Sequence, residues 1–502
     1  MKPRTTAPHP PSSVVGACAL VGACALVGAR ALVGACALVG ACALAASCGG
    51  SAGDPASGSG GGSSDGGDTQ TTSVGGAAGH GGAGHGGGGG AGGTGGAGGG
   101  GGGSKARSAD GFVDSIGVGT HMNYLDLVYG TGFDSIIEPK LVKLGIRHVR
   151  DGIKNWPDPT DARLDALATE HGIKVTAVCG IENDDPDEAD HCITQADQMS
   201  SSIEAFEGAN ELDNNDPDWT TSFARFQVAL YQAVKASHFA SLPVLSNALA
   251  GSDRGNQLVI PGGVDLPSFM DFGNMHTYPI TLTPTNGIAQ HITDYKQYVS
   301  GDKPLMVTET GYHNAVHATQ CLTWWPGVSE AAGGKYAART YLEYFNAGIV
   351  RSFIYELIDE KADPSCNEYN MGMLRNDGRE KPAYQAVANL IGLLRDPGPA
   401  FTPRHLAYGL DGGTNLLHQT LLAKRNGRVY LVLWQDAVSY DTDAKHDIDV
   451  PTQPVTVTLG DPFGHANLYL PFASAAVSST VASPRTLHVD VPDHPLVIEL
   501  VP

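Results

Sequence analysis

The chain has 502 residues, 41% hydrophobic, 17% charged and 67 of them glycine, with a formal net charge of −21. Glycine is concentrated before residue 105; setting aside the five basic and three acidic residues before 109 leaves 26 basic against 49 acidic, a net charge of −23. So acidic a surface repels phosphate backbones and anionic membranes, which argues against nucleic acid as a partner, and ordinary apolar content over roughly 390 residues excludes intrinsic disorder there.

Residues 1–13 carry Lys2 and Arg4 and no acid, and 14–47 form an apolar run broken only by Arg30. Within that run VGACAL recurs at 15, 21, 33 and 39, with VGARAL at 27, a repeat too short for a solenoid. A charged start followed by an apolar stretch reads as an export signal over 1–48. It ends Leu44-Ala45-Ala46-Ser47-Cys48, which resembles the lipobox of bacterial lipoproteins, with Ala45 where leucine is usual. That resemblance implies lipidation of Cys48 and a membrane anchor; a cleaved secretory signal and an uncleaved span are the alternatives. All three put the body outside the cytoplasm, in the cell envelope or secreted.

Residues 49–108 are Gly, Ser and Ala with almost no large side chain, so they read as a disordered tether reaching about 40 Å. Of nine cysteines, four lie in the body: Cys179, Cys192, Cys321 and Cys366. An even number in an exported chain favours disulfides. Three pairings are open, of which Cys179–Cys192 and Cys321–Cys366 are preferred because each staples loops on one face of the fold expected below. Nothing in the Cys and His spacing suggests zinc, and no metal or cofactor is expected. The acidic runs at 183–190 and 212–218 read as solvated loops.

From 109 to 395, β-branched runs alternate with helical periods. Strands are expected at 112–118, 146–150, 173–179, 203–207, 243–247, 272–277, 304–309 and 350–356, and amphipathic helices at 134–144, 161–171, 219–238, 288–299, 329–346 and 381–394. Eight strands alternating with helices fit an α/β fold, a closed (β/α)8 TIM barrel, and no GxGxxG follows the first strand. Residues 396–502 change pattern, with strand-like segments at 415–424, 428–434, 454–459, 466–470, 485–491 and 495–500. These predict an antiparallel β-sandwich that shields the barrel or, alternatively, binds sugar.

In such a barrel, chemistry sits at the C-terminal strand ends. Those ends carry His121, Arg150, Cys179, Asn210-Glu211, Asn247, His276 with Tyr278, Glu309 and Tyr355-Glu356. Glu211 and Glu309 close the fourth and seventh strands and face each other across the pocket. Paired carboxylic acids there suit glycoside cleavage, where one must be protonated and the other ionised.

The segment Phe206-Glu207-Gly208-Ala209-Asn210-Glu211 resembles the strand-four Asn-Glu signature of the clan A glycoside hydrolases. Val307-Thr308-Glu309-Thr310-Gly311-Tyr312 resembles their strand-seven nucleophile segment, Met275-His276-Thr277-Tyr278-Pro279 their strand-six His-x-Tyr, and Arg150 their strand-two arginine. The resemblance implies Glu211 as general acid/base and Glu309 as nucleophile of a retaining hydrolase acting on an oligo- or polysaccharide. It also implies that Asn210 binds the sugar 2-hydroxyl, that Arg150 and Tyr278 keep Glu309 ionised, and that His276 orients Glu211 or a hydroxyl. The clan often ends strand eight with tryptophan, whereas this chain has Tyr355, which could stack on a sugar, followed by Glu356, which could bind a hydroxyl or a cation. Trp324-Trp325 offer a replacement platform, and His121 is a further subsite candidate. A monomer is expected, and two alternatives stay open: a non-catalytic carbohydrate-binding lipoprotein and an envelope transglycosylase.

Overall fold

A computed structural model describes residues 104–153, 159–180 and 188–502. The export signal, Cys48 and residues 49–103 of the tether lie outside the described residues. Seven parallel strands form one curled sheet: Ile116–Gly119, His148–Gly152, Lys174–Val178, Ile203–Glu207, Gly273–His276, Leu305–Thr310 and Ser352–Ile354. The first strand pairs with both the second and the last, so the sheet wraps around. The fifth expected strand, 243–247, is reduced to two bridges, Phe206 to Val244 and Leu245 to Phe272. Leu245 N–H donates to Phe206 O at 2.7 Å and Ser246 N–H to Phe272 O at 2.9 Å. These bonds close an eight-position TIM barrel. Pro243, with no N–H to give, begins this segment and limits its pairing.

The strands are buried on both faces, as parallel sheets covered by helices must be; Leu305–Thr310 is buried throughout. The covering helices include Glu138–Leu144, Thr160–His171, Trp219–Ala236, Ile288–Tyr295, Glu330–Asn346 and Pro382–Leu394, close to the six expected. The first strand, expected at 112–118, starts at Ile116, because Ala109–Asp114 is a helix with Ala109, Phe112 and Val113 buried on one face. Its start is fixed by Ser108, whose hydroxyl accepts the Gly111 N–H at 3.1 Å. The end of the acidic run at 183–190 opens a helix, Glu188–Ala196, that buries Ala189, Cys192 and Ala196.

The C-terminal part contains two antiparallel β-sheets, as expected. The larger holds Val477–Ala482, His465–Tyr469, Leu496–Val501, Val429–Gln435 and Leu417–Ala423; the smaller holds Tyr408–Asp411, Gln453–Leu459 and Thr486–Val491. Strand Val429–Gln435 is buried at every position because its faces serve two cores. Val429, Leu431 and Leu433 pack between the two sheets, while Tyr430, Val432 and Trp434 pack toward the barrel. There Trp434 Nε1 donates to Glu343 Oε1 at 2.6 Å, from helix Glu330–Asn346.

Residues 104–108, which composition assigns to the tether, are strands of this β region. Ser104–Lys105 pairs with His405–Leu406, and Arg107–Ser108 pairs with Leu422–Ala423. The Arg107 guanidinium lies 3.1 Å from the Phe345 ring centroid, and its Nη2 donates to Phe345 O at 2.7 Å. Removing residues 1–108 rather than 1–103 is therefore expected to cost about 2 kcal/mol, roughly 4 °C in Tm. Equal melting curves for the two truncations would show that these strands add nothing.

Disulfides join Cys179 to Cys192 and Cys321 to Cys366, with Cα–Cα separations of 5.7 and 5.2 Å. Among the described residues no helix is long and apolar enough to cross a membrane.

Candidate active site

Glu211 lies just past the fourth barrel strand, in a turn that the surrounding residues hold tightly. Gly208 is required there, since a Cβ would sit 2.1 Å from Asn247 Oδ1. Asn247 in turn accepts the Ala209 N–H at 2.9 Å and donates to Phe223 O at 2.7 Å. Glu211 itself adopts a left-handed backbone, φ 47°, which costs about 1 kcal/mol or more for a residue with a Cβ. The following turn offsets that strain: Asn214 N–H donates to Glu211 O at 2.9 Å, and Asp213 accepts from Ala250 N–H at 2.9 Å and Arg254 Nη1 at 3.0 Å. The result points the Glu211 carboxyl into the barrel mouth, 6% exposed.

Glu309, at the end of the strand Leu305–Thr310, points into the same space. Arg150 Nη1 donates to its Oε1 at 2.6 Å and the Tyr278 hydroxyl to its Oε2 at 2.7 Å. His276 Nδ1 is 2.7 Å from Glu211 Oε1 and 3.6 Å from Glu309 Oε2. One oxygen each of Glu211 and Glu309 and a ring nitrogen of His276 all lie within 4.8 Å of one another. Asn214 Nδ2 donates to the other Glu211 oxygen at 3.1 Å. Asn210 Oδ1 accepts from Arg150 Nη2 at 2.6 Å.

A third acid completes the network and was not singled out from sequence. Glu207 is fully buried and takes Arg150 through Nε at 2.9 Å and Nη2 at 2.8 Å. Thr308 Oγ1 lies 3.1 Å from Glu207 Oε1, 2.7 Å from Asn274 Oδ1 and 3.2 Å from His276 Nε2. The available signal was a second acid at the C-terminal end of the strand Ile203–Glu207, in phase with the buried Ile203 and Ala205 rather than with the half-buried Glu204. Arg150 is thus shared between Glu207 and Glu309, fixed by the first and charging the environment of the second.

The two facing carboxyls have opposite environments. Burial raises Glu211, and the nearby Glu309 charge adds to it, outweighing His276, so its carboxyl titrates above the usual range. Burial would raise Glu309 too, but the charges of His276 and Arg150 and the Tyr278 hydrogen bond prevail and hold it below. Glu207, despite burial, is pulled to about 2 by Arg150 and His276. His276, against the effect of burial, is lifted to about 9 by Glu309, Glu207 and Glu211. A metal ion between Glu211 and Glu309 would face Arg150 and a charged His276, so this part of the site fits acid–base chemistry instead.

The remaining candidates form the neighbouring wall. Tyr355 N–H donates to Thr310 O at 2.7 Å, next to Glu309, and its hydroxyl is 3.0 Å from His121 Nε2. His121 stacks on Tyr124 with ring centroids 4.4 Å apart. Glu356 is fully buried and accepts the Tyr129 hydroxyl at 2.7 Å. Trp325 packs edge-on against Tyr278 at 5.1 Å, whereas Trp324 is 42% exposed and stacks on Trp325. The Cys321–Cys366 disulfide ties the loop that carries both tryptophans.

No protein-family pattern matches the chain, and no curated protein is significantly similar to it in sequence. Solved structures do share its fold. A family 39 glycoside hydrolase from the gut symbiont Bacteroides cellulosilyticus superposes with a TM-score of 0.56 at 17% identity, over 78% of this chain and 82% of that one. A glucosidase from Croceicoccus marinus superposes at 0.51 and 11% identity, over 74% of this chain and 93% of that one. These likenesses establish a TIM barrel with a C-terminal β region, an architecture found in glycoside hydrolases.

Proposed function

We propose that this chain is a retaining glycoside hydrolase that cleaves O-glycosidic bonds of an oligo- or polysaccharide outside the cytoplasm. One observation carries the reading: Glu211 and Glu309 oxygens lie within 4.8 Å of each other, in environments that push their proton affinities apart. Retaining catalysis uses carboxyls about 5–5.5 Å apart, while inversion needs about 6.5–9.5 Å to admit a water. The apolar leader and the two disulfides support an exported protein, with residues 109–395 as the catalytic unit and Cys48 as the point of lipid attachment.

Ionised Glu309 attacks the anomeric carbon as Glu211 gives its proton to the leaving oxygen. A glycosyl ester on Glu309 results, and the charge that raised Glu211 is gone. With that charge gone Glu211 is a stronger acid and stays ionised. As general base it takes a proton from water as the water oxygen attacks the anomeric carbon; the ester bond to Glu309 breaks, Glu309 leaves as a carboxylate and Glu211 is protonated again. Asn210, held through Oδ1 by Arg150, offers its amide N–H to the sugar 2-hydroxyl. Tyr355 and Trp325 wall the adjoining space.

The pH profile follows from these directions. kcat/KM should rise as pH passes Glu309, below the ordinary carboxylate range, and fall as it passes Glu211, above that range. Tyr278→Phe removes a donor that favours ionised Glu309, so its acidic limb should move upward by about half a unit to one unit. An unmoved limb would show that Tyr278 does not tune Glu309. The function itself is tested by a glycan-panel screen of the purified full chain, with Glu309→Gln as blank, followed by 1H NMR of the first product formed. Retention of anomeric configuration is expected; inversion, or no turnover of any glycan, would remove the proposal.

A further inference from the structure

We infer that His121, Glu356 and Glu360 form a binding site for one divalent metal ion of the zinc or manganese class, at the end of the eighth barrel position. One ligand atom from each of the three lies within 4.8 Å of the others. Glu356 is fully buried; its Oε2 accepts the Tyr129 hydroxyl at 2.7 Å and lies 3.9 Å from His121 Nε2. Its other oxygen, Oε1, is buried with no hydrogen-bond partner among the described residues. A buried carboxylate oxygen left in that state costs free energy that a cation would recover.

The basic side chains near this cluster are committed elsewhere. Lys381 Nζ donates to Asp359 Oδ1 at 2.7 Å and to Asn314 Oδ1 at 3.0 Å. Lys361 Nζ donates to the Tyr369 hydroxyl at 2.8 Å and sits 4.0 Å from that ring's centroid. Among the described residues, neither Glu356 nor Glu360 has a Lys or Arg ion pair. Two adjacent carboxylates beside an imidazole, neither in a direct ion pair with the lysines whose charges reach them, Lys361 for Glu360 and Lys381 for Glu356, are a donor set for a borderline metal; calcium and magnesium would call for oxygen ligands throughout.

The surroundings also fit. Tyr129 orients Glu356 from behind, as the outer partner of a metal ligand does, and the Tyr355 hydroxyl, 3.0 Å from His121 Nε2, holds the imidazole beside the cluster. With Asp126, Thr131, Ser135, Asn376 and Lys361, whose ammonium is held by the Tyr369 hydroxyl, Glu360 also lines a cavity of about 530 Å³, which gives an ion a polar route in. Three protein ligands leave a position for water or a sugar hydroxyl, on the wall that adjoins the proposed sugar pocket.

The test needs no turnover, so it is independent of whether the chain is a hydrolase. The full-length protein is stripped with EDTA, dialysed, and titrated with zinc chloride and with manganese chloride. Bound metal is read by elemental analysis and calorimetry, and Tm by thermal denaturation. One ion per chain and a raised Tm are expected. Uptake should be lost in Glu360→Gln and in His121→Asn, each with an unchanged circular dichroism spectrum, and kept in the double variant His80→Ala/His85→Ala, which removes the histidines of the Gly-rich segment. Absence of stoichiometric uptake of either ion, uptake that survives Glu360→Gln and His121→Asn, or uptake lost with His80 and His85 would overturn the assignment.

Discussion

Glu309→Gln is expected to lower kcat/KM by about four to six orders of magnitude, comparable to removing the nucleophile of other covalent catalysts, while the protein stays folded. The amide has nearly the shape of the carboxylate: its oxygen can accept from Arg150 Nη1, which lies 2.6 Å from Glu309 Oε1, and its NH2 can donate to the Tyr278 hydroxyl oxygen, which lies 2.7 Å from Glu309 Oε2. It cannot attack an anomeric carbon. The loss should therefore fall on kcat, with KM and Tm little changed. The partner variant gives a complementary signature. Glu211→Ala should turn over an activated aryl glycoside slowly, and azide should restore the rate, because azide attacks the glycosyl ester without a general base. Unchanged turnover in Glu309→Gln would remove Glu309 from the chemistry.

The second large effect is expected from Arg150→Met. Arg150 is 6% exposed and pairs with two buried acids, Glu207 at 2.8 Å and Glu309 at 2.6 Å. Removing it leaves two acids of one sign in a low-dielectric interior, and the expected loss is about 3–5 kcal/mol in chemical denaturation. Activity should fall as well, with the acidic limb of the profile moving up as Glu309 loses its nearest cation. The double variant Arg150→Met/Glu207→Gln removes one of the stranded charges and should recover part of the stability but not the activity. The acid dependence of stability has the matching sign. Glu207 titrates at about 2 in the folded protein, below its ordinary 4.5, so its stabilisation is present above the ordinary value and is lost as pH falls toward 2. A stability loss below about 1 kcal/mol in Arg150→Met would contradict the shared-cation account.

Much of this site was legible because a barrel converts strand phase into location. Once the strands were phased, Arg150, Glu211, His276, Tyr278 and Glu309 all fell at strand ends, and the structure brings these five into one hydrogen-bonded group. Glu207 was harder to see, since one strand can bury an acid only if a partner from elsewhere meets it, and that partner is 57 residues away. The fifth barrel strand is shorter than its composition suggests, because Pro243-Val244-Leu245 has strand composition but only two residues that bridge. Residues 104–108 were hidden by their glycine-rich neighbours, since short edge strands draw their stability from the sheet they join rather than from their own side chains. The cluster of His121, Glu356 and Glu360 depends on a fold that brings residue 121 against the segment after strand eight, a proximity that spacing alone does not encode.

The most direct measurement of the central claim is covalent trapping. A 2-deoxy-2-fluoro glycoside of the accepted sugar, with a good leaving group, slows hydrolysis of the glycosyl ester more than its formation, so the intermediate accumulates. Mass spectrometry of the digested protein should then place one sugar on the peptide carrying Glu309, with none in Glu309→Gln. A sugar found on another residue, or inactivation that leaves no sugar on the chain, would contradict it.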